Sequence, residues 1–349
     1  MKKALFIGGT GIISMAISRM VASMPDWELY LLNHGSRNAE LPPNVKHLKA
    51  DINDENTVAE LIKDLHFDVL ADFIAFVPSQ LEREERLFRG KTSQFIFISS
   101  ASAYQKPLSD YKVSEATPLA NPYWEYSRNK IACEEYLLKL YREFSFPITI
   151  VRPSHTYDER YIPLGVHGDK GSWQVVKRML EGKPVIIHGD GTSLWTMTHN
   201  SDFAKAFVGL MGNIHAIGES VQITSDESLT WNQIYSSIVN ALNSLESKQL
   251  KQRVEFKPYY VPSDFLAKCS HYDFICSLIG DKSNSVVFDN TKLKRLVPDF
   301  VATKRFDIGV RETIENVLEH KELQVEDNEF DSWCDKVIAE MDSAIERIK

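Results

Sequence analysis

Residues 3–14 read KALFIGGTGIIS, an apolar strand pattern that runs into a glycine-rich turn and then into a helical pattern. Within this stretch Gly8, Gly11 and Ser14 hold the spacing G-x-x-G-x-x-S. Glycine permits a tight turn and lets backbone N–H groups approach a pyrophosphate, whose charge is favoured at a helix N-terminus. A plain β-turn would also contain these glycines, but the position between a strand and a helix predicts a dinucleotide site.

The first half of the chain alternates apolar runs with amphipathic stretches, the pattern of β-α-β units around a parallel sheet. The predicted strands cover residues 4–8, 28–32, 45–50, 69–75, 95–99 and 148–152. The predicted helices cover residues 12–24, 55–65, 80–88 and 124–144. We therefore predict an α/β fold with a doubly wound parallel Rossmann sheet.

Beyond Pro153 the sequence pattern changes: the predicted strands and helices are shorter, and glycine-containing loops separate them. The predicted elements here are a strand at 185–188, a helix at 201–210, a strand at 220–224, a helix that opens at 230 and an acidic surface helix after 324. We expect a Rossmann domain over residues 1–160, with its sheet completed by later segments. Residues 161–349 are then a smaller C-terminal α/β substrate-binding region.

Composition excludes several classes of protein. The net charge of −8 argues against a nucleic-acid partner, because phosphate binding depends on clustered Lys and Arg. No apolar run approaches the roughly 20 residues of a membrane helix, and the start lacks a signal-peptide pattern, so we expect no membrane partner and a cytoplasmic protein. The four cysteines (Cys133, Cys269, Cys276 and Cys334) form no CxxC pair, which predicts reduced structural thiols and no metal site.

The end of the second predicted strand bears on the choice between NAD and NADP. An acidic residue at this point would bind the ribose 2′-hydroxyl of NAD, but the sequence reads Asn33-His34-Gly35-Ser36-Arg37. Ser36 and Arg37 would suit the 2′-phosphate of NADP, whereas Asn33 can hold the ribose of NAD and Arg37 is equally compatible with a solvated loop. Both cofactors therefore stay open.

Asp51 closes the third predicted strand in the segment KADIND. It is placed to reach the adenine amino group of a dinucleotide. The alternative is that Asp51 caps the helix that begins near Asp54, a common role for aspartate.

The segment Tyr126-Ser-Arg-Asn-Lys130 carries the strongest catalytic signal. Residues four apart on a helix share a face, and a cation beside a tyrosine favours the phenolate, which brings a phenol with a pKa near 10 toward working range. A surface tyrosine with a solvated lysine is the alternative. The preceding strand ends in Ser99-Ser100, which can offer a hydroxyl to a substrate oxygen.

These motifs resemble the extended short-chain dehydrogenase/reductase family, the NAD-dependent epimerase/dehydratase group. GGTGIIS resembles the family's TGGxGFIG turn, FIFISSASAY its SSxxVYG strand and PYWEYSRNK its PYxxSK helix. VRPSHTY, HGDGTSLWTMTHNSDFAKA and VFDNTKLKRLVPDF are similar to later family segments, in family order as far as Phe300.

The resemblance implies Tyr126 as the general acid/base, Lys130 as its electrostatic partner and Ser100 as the hydroxyl that orients the substrate; a shift of one position would select Ser99. It also places Ala75 in the cofactor pocket beside Phe73, Ile74 and Phe76, although apolar residues there equally fit an ordinary core. Together, residues and resemblance imply a cofactor site formed by Gly8, Thr10, Gly11, Ile12, Ile13, Asn33, His34, Arg37, Asp51, Ile52, Phe73, Ile74, Ala75, Tyr126, Lys130 and Pro153.

On the substrate side the sequence departs from the family pattern. His155 replaces an asparagine of the family pattern, and Leu194-Trp195-Thr196 occupies the place where an arginine is expected. In relatives that asparagine and arginine help to bind a sugar diphosphate, so these departures argue against a nucleotide-sugar substrate. Trp195 is compatible with a sugar ring, a base or the core, and His155 and His199 with substrate contact or packing. Ala101-Ser102 follows the catalytic serine where dehydratases carry Asp-Glu, which disfavours simple dehydration.

The resemblance implies an NAD(P)-dependent epimerase or oxidoreductase that acts on a hydroxyl or carbonyl of a sugar or nucleotide sugar. The alternatives are a cofactor-binding member that works as an RNA-binding or regulatory protein, and a reductase of a non-sugar carbonyl. Relatives commonly form a homodimer through two helices each. The residues that would serve that interface, or the domain core instead, are Ile131, Cys133, Leu137 and Leu140.

Overall fold

The computed structural model describes residues 1–35, 41–245 and 253–349. In these ranges the strands are β1 (Lys2–Ile7), β2 (Trp27–Asn33), β3 (Lys46–Lys49), β4 (Val69–Asp72), β5 (Phe95–Ile98), β6 (Lys112–Val113), β7 (Ile148–Pro153), β8 (His155–Tyr157), β9 (Val185–His188), β10 (Leu194–Trp195), β11 (Met197–His199), β12 (Ser220–Ile223), β13 (Leu229–Thr230), β14 (Pro258–Val261) and β15 (Val287–Phe288). The helices are α1 (Ile12–Ala22), α2 (Glu55–Ile62), α3 (Pro78–Phe88), α4 (Glu125–Phe144), α5 (Trp173–Leu180), α6 (Asn200–Leu210), α7 (Trp231–Ser244), α8 (Ser263–Cys269), α9 (Thr291–Leu296), α10 (Phe306–Glu319) and α11 (Asn328–Ile348).

The chain divides into two units. The first, called here the sheet unit, contains Met1–Thr156, Asn200–Asp226 and Phe288–Thr303. The second unit contains Tyr157–His199, Glu227–Val287 and Lys304–Lys349. Residues 200–226 and 288–303 thus belong to the sheet unit although they lie beyond residue 160.

A parallel sheet of seven strands, counted over the described residues, organises the sheet unit. Its order is β12-β7-β5-β4-β1-β2-β3. From β1 the chain builds β2 and β3 on one side and then crosses to β4 on the other, so the switch point lies between β1 and β4. This topology confirms the predicted doubly wound Rossmann sheet, and such sheets bind ligands beyond the strand ends at the switch point.

Side chains alternate across β1 and so divide the core between the two faces of the sheet. Ala4 and Phe6 enter the cluster on the α1 and α6 face, whereas Leu5 and Ile7 enter the cluster on the α2, α3 and α4 face. All four are fully buried, and burial of a large apolar side chain contributes about 1.5–3 kcal/mol. The second cluster also contains residues of α4 that were weighed for a dimer interface, which are Cys133, Leu137 and Leu140.

Strand β4 is three residues shorter than predicted. The Oδ1 atom of Asp72 accepts hydrogen bonds from the backbone N–H groups of Ile74 at 2.6 Å and Ala75 at 3.0 Å, which turns the chain out of the sheet. Helix α3 follows and begins at Pro78, a residue suited to a first helical position. The end of β4 is therefore an aspartate-stabilised loop.

The second unit is built from short strand pairs and helices. Strand β14 pairs parallel with β9, and β10 pairs antiparallel with β13. The buried Arg178 of α5 donates at 2.7 Å to both Asp331 and Asp335 of α11. The acidic tail therefore forms a helix that is attached to the unit, with Phe330 and Cys334 of α11 buried.

No helix within the described ranges has the length and apolar character that membrane crossing requires. The same ranges contain no group of three His, Cys, Asp or Glu side chains arranged to hold a metal ion. Burial raises the pKa of Cys133 and Cys334 to about 12, because the thiolate loses its hydration.

Candidate active site

The glycine turn between β1 and α1 has the conformation that its residues predict. Gly8 has a φ of +81°, a region that side chains other than glycine rarely adopt. Gly11 is the N-cap of α1, so the partial positive charge of that helix N-terminus lies beside the turn. The turn therefore has the features that bind a pyrophosphate.

Ser14 does more than replace the third glycine of the motif. Its hydroxyl donates to the carbonyl oxygen of Gly8 at 2.8 Å and accepts from the backbone N–H of Gly11 at 2.8 Å. These two bonds tie the first helical turn to both ends of the glycine loop. The sequence predicted only that a small residue would fit here.

A cleft of about 520 Å³ opens at the switch point of the sheet unit, within the range typical of ligand sites. Its lining includes these predicted cofactor residues: Gly8, Thr10, Gly11, Ile12, Ile13, Asn33, His34, Phe73, Ile74, Tyr126, Lys130 and Pro153. Phe76, which the resemblance placed beside the cofactor pocket, also lines the cleft. Lining residues that were not assigned to the cofactor are Ser14, Leu32, Gly35, Ile98 and Ser99. The sequence signal for Phe76 was its place at the end of DFIAF.

On the β2 side of the cleft, Asn33 Oδ1 accepts a hydrogen bond from Gly35 N at 3.1 Å. Asp51 lies near this side, with its Oδ1 atom 3.7 Å from His34 Nε2. Asp54, rather than Asp51, caps α2 by accepting from Thr57 N. The capping alternative for Asp51 is therefore wrong.

Three predicted cofactor residues, Asp51, Ile52 and Ala75, do not line the cleft, and a fourth cannot be placed. Ile52 and Ala75 are buried in the core on the α2, α3 and α4 face. Arg37, with its neighbour Ser36, lies outside the described residues.

Lys130 is held inside the sheet unit and is only 2% exposed. Its Nζ atom donates to the carbonyl oxygens of Ala75 at 2.6 Å and Ile98 at 2.7 Å. Burial lowers the pKa of Lys130 to about 8, because the ammonium loses its hydration, while the nearby Asp72 opposes this shift. The lysine therefore titrates much closer to neutrality than an exposed one.

Tyr126 lies in the first turn of α4 and is half-buried. The centroid of its ring is 5.8 Å from Lys130 Nζ. Its ring also lies 5.2 Å from that of Trp124 and 6.2 Å from that of Phe76. The tyrosine thus has the predicted cation beside it and two aromatic neighbours at the cleft.

The two serines that end β5 have different environments. Ser99 lines the cleft, is 1% exposed and donates its hydroxyl to Glu134. Ser100 is half-buried, and its Oγ lies 2.9 Å from Ser102 Oγ and accepts from Ser102 N at 3.1 Å. Ser100 is therefore the more accessible hydroxyl, whereas Ser99 is committed to a buried polar network.

The residues predicted for the substrate side are spread over both units. His155 is a half-buried residue of the sheet unit. In the second unit, Trp195 is 5% exposed and stacks on Trp231 at 5.8 Å, and His199 packs edge-on against Tyr157 at 5.2 Å. Trp195 and His199 thus both have packing partners within their own unit.

Comparison with known proteins decides the family. The family model described as NAD dependent epimerase/dehydratase matches residues 4–223. The chain belongs to the NAD-dependent epimerase/dehydratase family. This confirms the resemblance and the expectation of an NAD-type cofactor.

Two proteins that are similar to the chain are named for different reactions. The chain is 23% identical over 308 residues to 2'-dehydrokanamycin reductase of Streptomyces kanamyceticus. The aligned region covers 85% of this chain and 80% of that protein. The chain is 28% identical over 196 residues to the uncharacterized UDP-glucose epimerase YtcB of Bacillus subtilis, covering 56% of this chain and 60% of that protein. The chain thus spans less than two thirds of the second relative's length.

Solved structures in the family share the fold. UDP-glucuronic acid 4-epimerase from Bacillus cereus, solved in complex with NAD, has a TM-score of 0.68 and 18% identity and covers 93% of this chain and 100% of that one. At this identity the similarity shows the fold alone.

The cleft of this family member fits a dinucleotide. The positive φ of Gly8 and the α1 N-terminus form a cradle for a pyrophosphate, and Asn33 lies at the end of β2, where ribose recognition is expected. Lys130 and Tyr126 line the same cleft.

Proposed function

We propose that the protein is an NAD(P)-dependent epimerase or oxidoreductase that acts on a hydroxyl or carbonyl of a sugar or nucleotide sugar. The observation that carries this proposal is the buried Lys130 ammonium, held by two backbone carbonyls and 5.8 Å from the ring of Tyr126 in the cleft that the glycine turn lines. A tyrosine beside a cation, next to a dinucleotide site, suits proton exchange with a substrate oxygen during hydroxyl–carbonyl interconversion.

In this proposal Tyr126 exchanges a proton with the substrate oxygen. The charge of Lys130 favours the phenolate and so brings the tyrosine toward working range at neutral pH. The Ser100 hydroxyl orients the same substrate oxygen by a hydrogen bond. The bound nicotinamide supplies hydride acceptance and donation, the chemistry that side chains lack.

The substrate class is supported by the relatives rather than by the cleft itself. One relative is named for a UDP-glucose epimerase and another for a reductase. A tyrosine that can both remove and return a proton serves either outcome. Epimerisation and net reduction are therefore alternative results of one assay.

The decisive test replaces Tyr126 by phenylalanine, which removes only the hydroxyl. With NAD(H) and a panel that includes UDP-glucose and UDP-glucuronic acid, Tyr126→Phe should lower turnover by at least about 100-fold. The affinity for NAD⁺ should stay close to that of the wild type. Tyr123→Phe, the same change on an exposed ring three residues earlier, is the control and should retain activity. Undiminished turnover in Tyr126→Phe would refute the proposal.

A homodimer is also part of the proposal. Because Cys133, Leu137 and Leu140 serve the core, a contact through α4 would have to use other side chains. Exposed apolar residues of this helix are Tyr141 and Phe144. Sedimentation equilibrium of the wild type and of Phe144→Glu tests the contact, since a dimer that depends on α4 should dissociate in the variant.

A further inference from the structure

Two carboxyl groups meet in the core of the sheet unit, behind the loop that ends β4. Asp72 is 1% exposed, and Glu84 of α3 is 0% exposed. The Asp72 carboxyl raises the pKa of Glu84 both through its charge and as a side-chain hydrogen-bonding neighbour. Two buried carboxylates in contact would repel each other without hydration to relieve them, so such a pair is stable when one member keeps its proton.

The remaining contacts indicate which carboxyl carries that proton. Asp72 Oδ1 accepts from the N–H groups of Ile74 and Ala75, which stabilises a negative charge on Asp72. Glu84 Oε1 accepts from Arg83 Nη2 at 3.0 Å. The second oxygens, Asp72 Oδ2 and Glu84 Oε2, are buried without a donor among the described residues. A proton on Glu84, shared with Asp72, gives both of them a partner.

The electrostatics agree with this assignment. Burial raises the pKa of Glu84 well above its usual range, and Asp72 raises it further. The Arg83 guanidinium acts in the opposite direction and is the weaker influence. Of the two carboxyl groups, Glu84 is therefore the one whose surroundings favour the protonated form.

The pair is connected to the proposed catalytic lysine. Asp72 holds the N–H of Ala75, and the carbonyl of Ala75 holds Lys130 Nζ. Asp72 also favours the charged form of Lys130 more than any other side chain does. The charged or titratable groups that face Lys130 are Asp72 from β4, Glu84 from α3, and Tyr126, Cys133 and Glu134 from α4.

We propose that Asp72 and Glu84 share one proton and act together as positioning residues for Lys130. The pair holds the loop whose carbonyl binds the lysine, and the net single negative charge of the pair keeps the lysine protonated. The catalytic consequence rests on the proposed function, whereas the shared proton does not.

The shared proton is tested by the pH dependence of stability. A carboxyl whose folded-state pKa is raised stabilises the fold below its unfolded pKa, and this stability is lost as the pH rises toward the folded pKa. Glu84→Gln keeps a neutral donor but removes this titration. As the pH rises above the ordinary range of a glutamate, the folding equilibrium constant of the wild type should therefore fall relative to that of Glu84→Gln, by up to about tenfold per pH unit. Glu82→Gln, an exposed change on the same helix, should behave like the wild type.

Urea titrations at several pH values measure these constants without substrate or cofactor. Identical pH dependence in Glu84→Gln and the wild type would overturn the shared proton. Because this readout needs no activity, its failure is distinct from failure of the proposed enzyme function.

The effect on the lysine is tested with Asp72→Asn. Loss of the negative charge should lower the pKa of Lys130 by about one unit, measured by NMR on protein with ¹⁵N-labelled lysine. The Lys130 signal is identified by its absence in Lys130→Met. Glu84→Gln should leave the Lys130 pKa near that of the wild type, since the neutral donor is retained. An unshifted Lys130 pKa in Asp72→Asn, or a shift of the same size in Glu84→Gln, would overturn the positioning role.

Discussion

Lys130 donates a hydrogen bond of 2.6 Å from Nζ to the carbonyl oxygen of Ala75, and this bond attaches the lysine to the loop that ends β4. The carbonyl of Ile98 accepts a second bond at 2.7 Å. Backbone carbonyls do not titrate, so the anchors of the lysine stay the same across the working pH range while its charge changes. The direct anchors of Lys130 therefore do not titrate, whereas Asp72 acts on the lysine both through the loop that carries Ala75 and through its charge.

The first prediction concerns the pH profile. Because burial lowers the pKa of Lys130 to about 8, the charge that favours the Tyr126 phenolate is present below pH 8 and is lost above it. Turnover at saturating NAD⁺ and substrate should fall on the alkaline side with an apparent pKa near 8. An alkaline limb near pH 10, as for an ordinary lysine, would contradict the buried environment.

Lys130→Met tests the same residue by removal of its charge. Turnover should drop by about 100-fold or more, and the alkaline limb near pH 8 should disappear. Lys139→Met, at an exposed position of the same helix, is the matched control and should keep both the rate and the limb.

The second prediction separates two costs at Gly8. An alanine Cβ there would lie 2.3 Å from Ile74 Cγ2, in addition to the penalty for a φ of +81°. Gly90 has a φ of +72°, and an alanine Cβ at that position would meet no heavy atom within 4 Å, so Gly90→Ala carries the conformational penalty alone, about 1–2 kcal/mol. Gly8→Ala should cost more than this and should also weaken NAD⁺ binding.

The double variant Gly8→Ala with Ile74→Ala relieves the contact. In the Ile74→Ala background, Gly8→Ala should lower the unfolding free energy by a certain amount. That amount should not exceed the loss of unfolding free energy that Gly90→Ala causes in the wild type. Equal costs for the two glycine variants would show that the approach of Ile74 does not matter to stability.

The third prediction compares a buried with an exposed ion pair. Glu134 accepts from Arg152 Nε at 2.9 Å and from Arg152 Nη2 at 2.6 Å, and both side chains are almost fully buried. Glu134→Gln leaves the Arg152 charge without its counter-ion and should lower the unfolding free energy by about 3–5 kcal/mol. Glu55→Gln, which breaks the exposed pair with Arg86, should cost less than about 1 kcal/mol. Urea unfolding of both variants checks the difference.

The fourth prediction concerns the 2′-position of the cofactor. If Arg37 binds a 2′-phosphate, Arg37→Ala should weaken the binding of NADP⁺ and leave that of NAD⁺ nearly unchanged. Parallel titrations with the two cofactors measure this. The same NADP⁺ affinity in the variant and the wild type would dismiss the role of Arg37.

Much of the fold could be predicted from local patterns. The apolar runs located six sheet strands, and the turn with Gly8 and Gly11 located the cofactor cleft, because strand, turn and helix follow one another directly in the chain. The seventh sheet strand, β12, is the strand predicted at 220–224, but it pairs with β7 from more than 60 residues away. No local pattern determines such a neighbour, since hydrogen bonds between strands are specified only when the chain is folded.

The sequence by itself determined the glycine turn, the Tyr126–Lys130 spacing and the succession of strands and helices, because these depend on residues close together in the chain. Only the tertiary structure decided that Asp72 ends β4 early, that Ser99 bonds to Glu134, and that Glu84 faces Asp72. Each of these depends on which polar groups are brought together away from water, where a buried charge must find a partner or a proton.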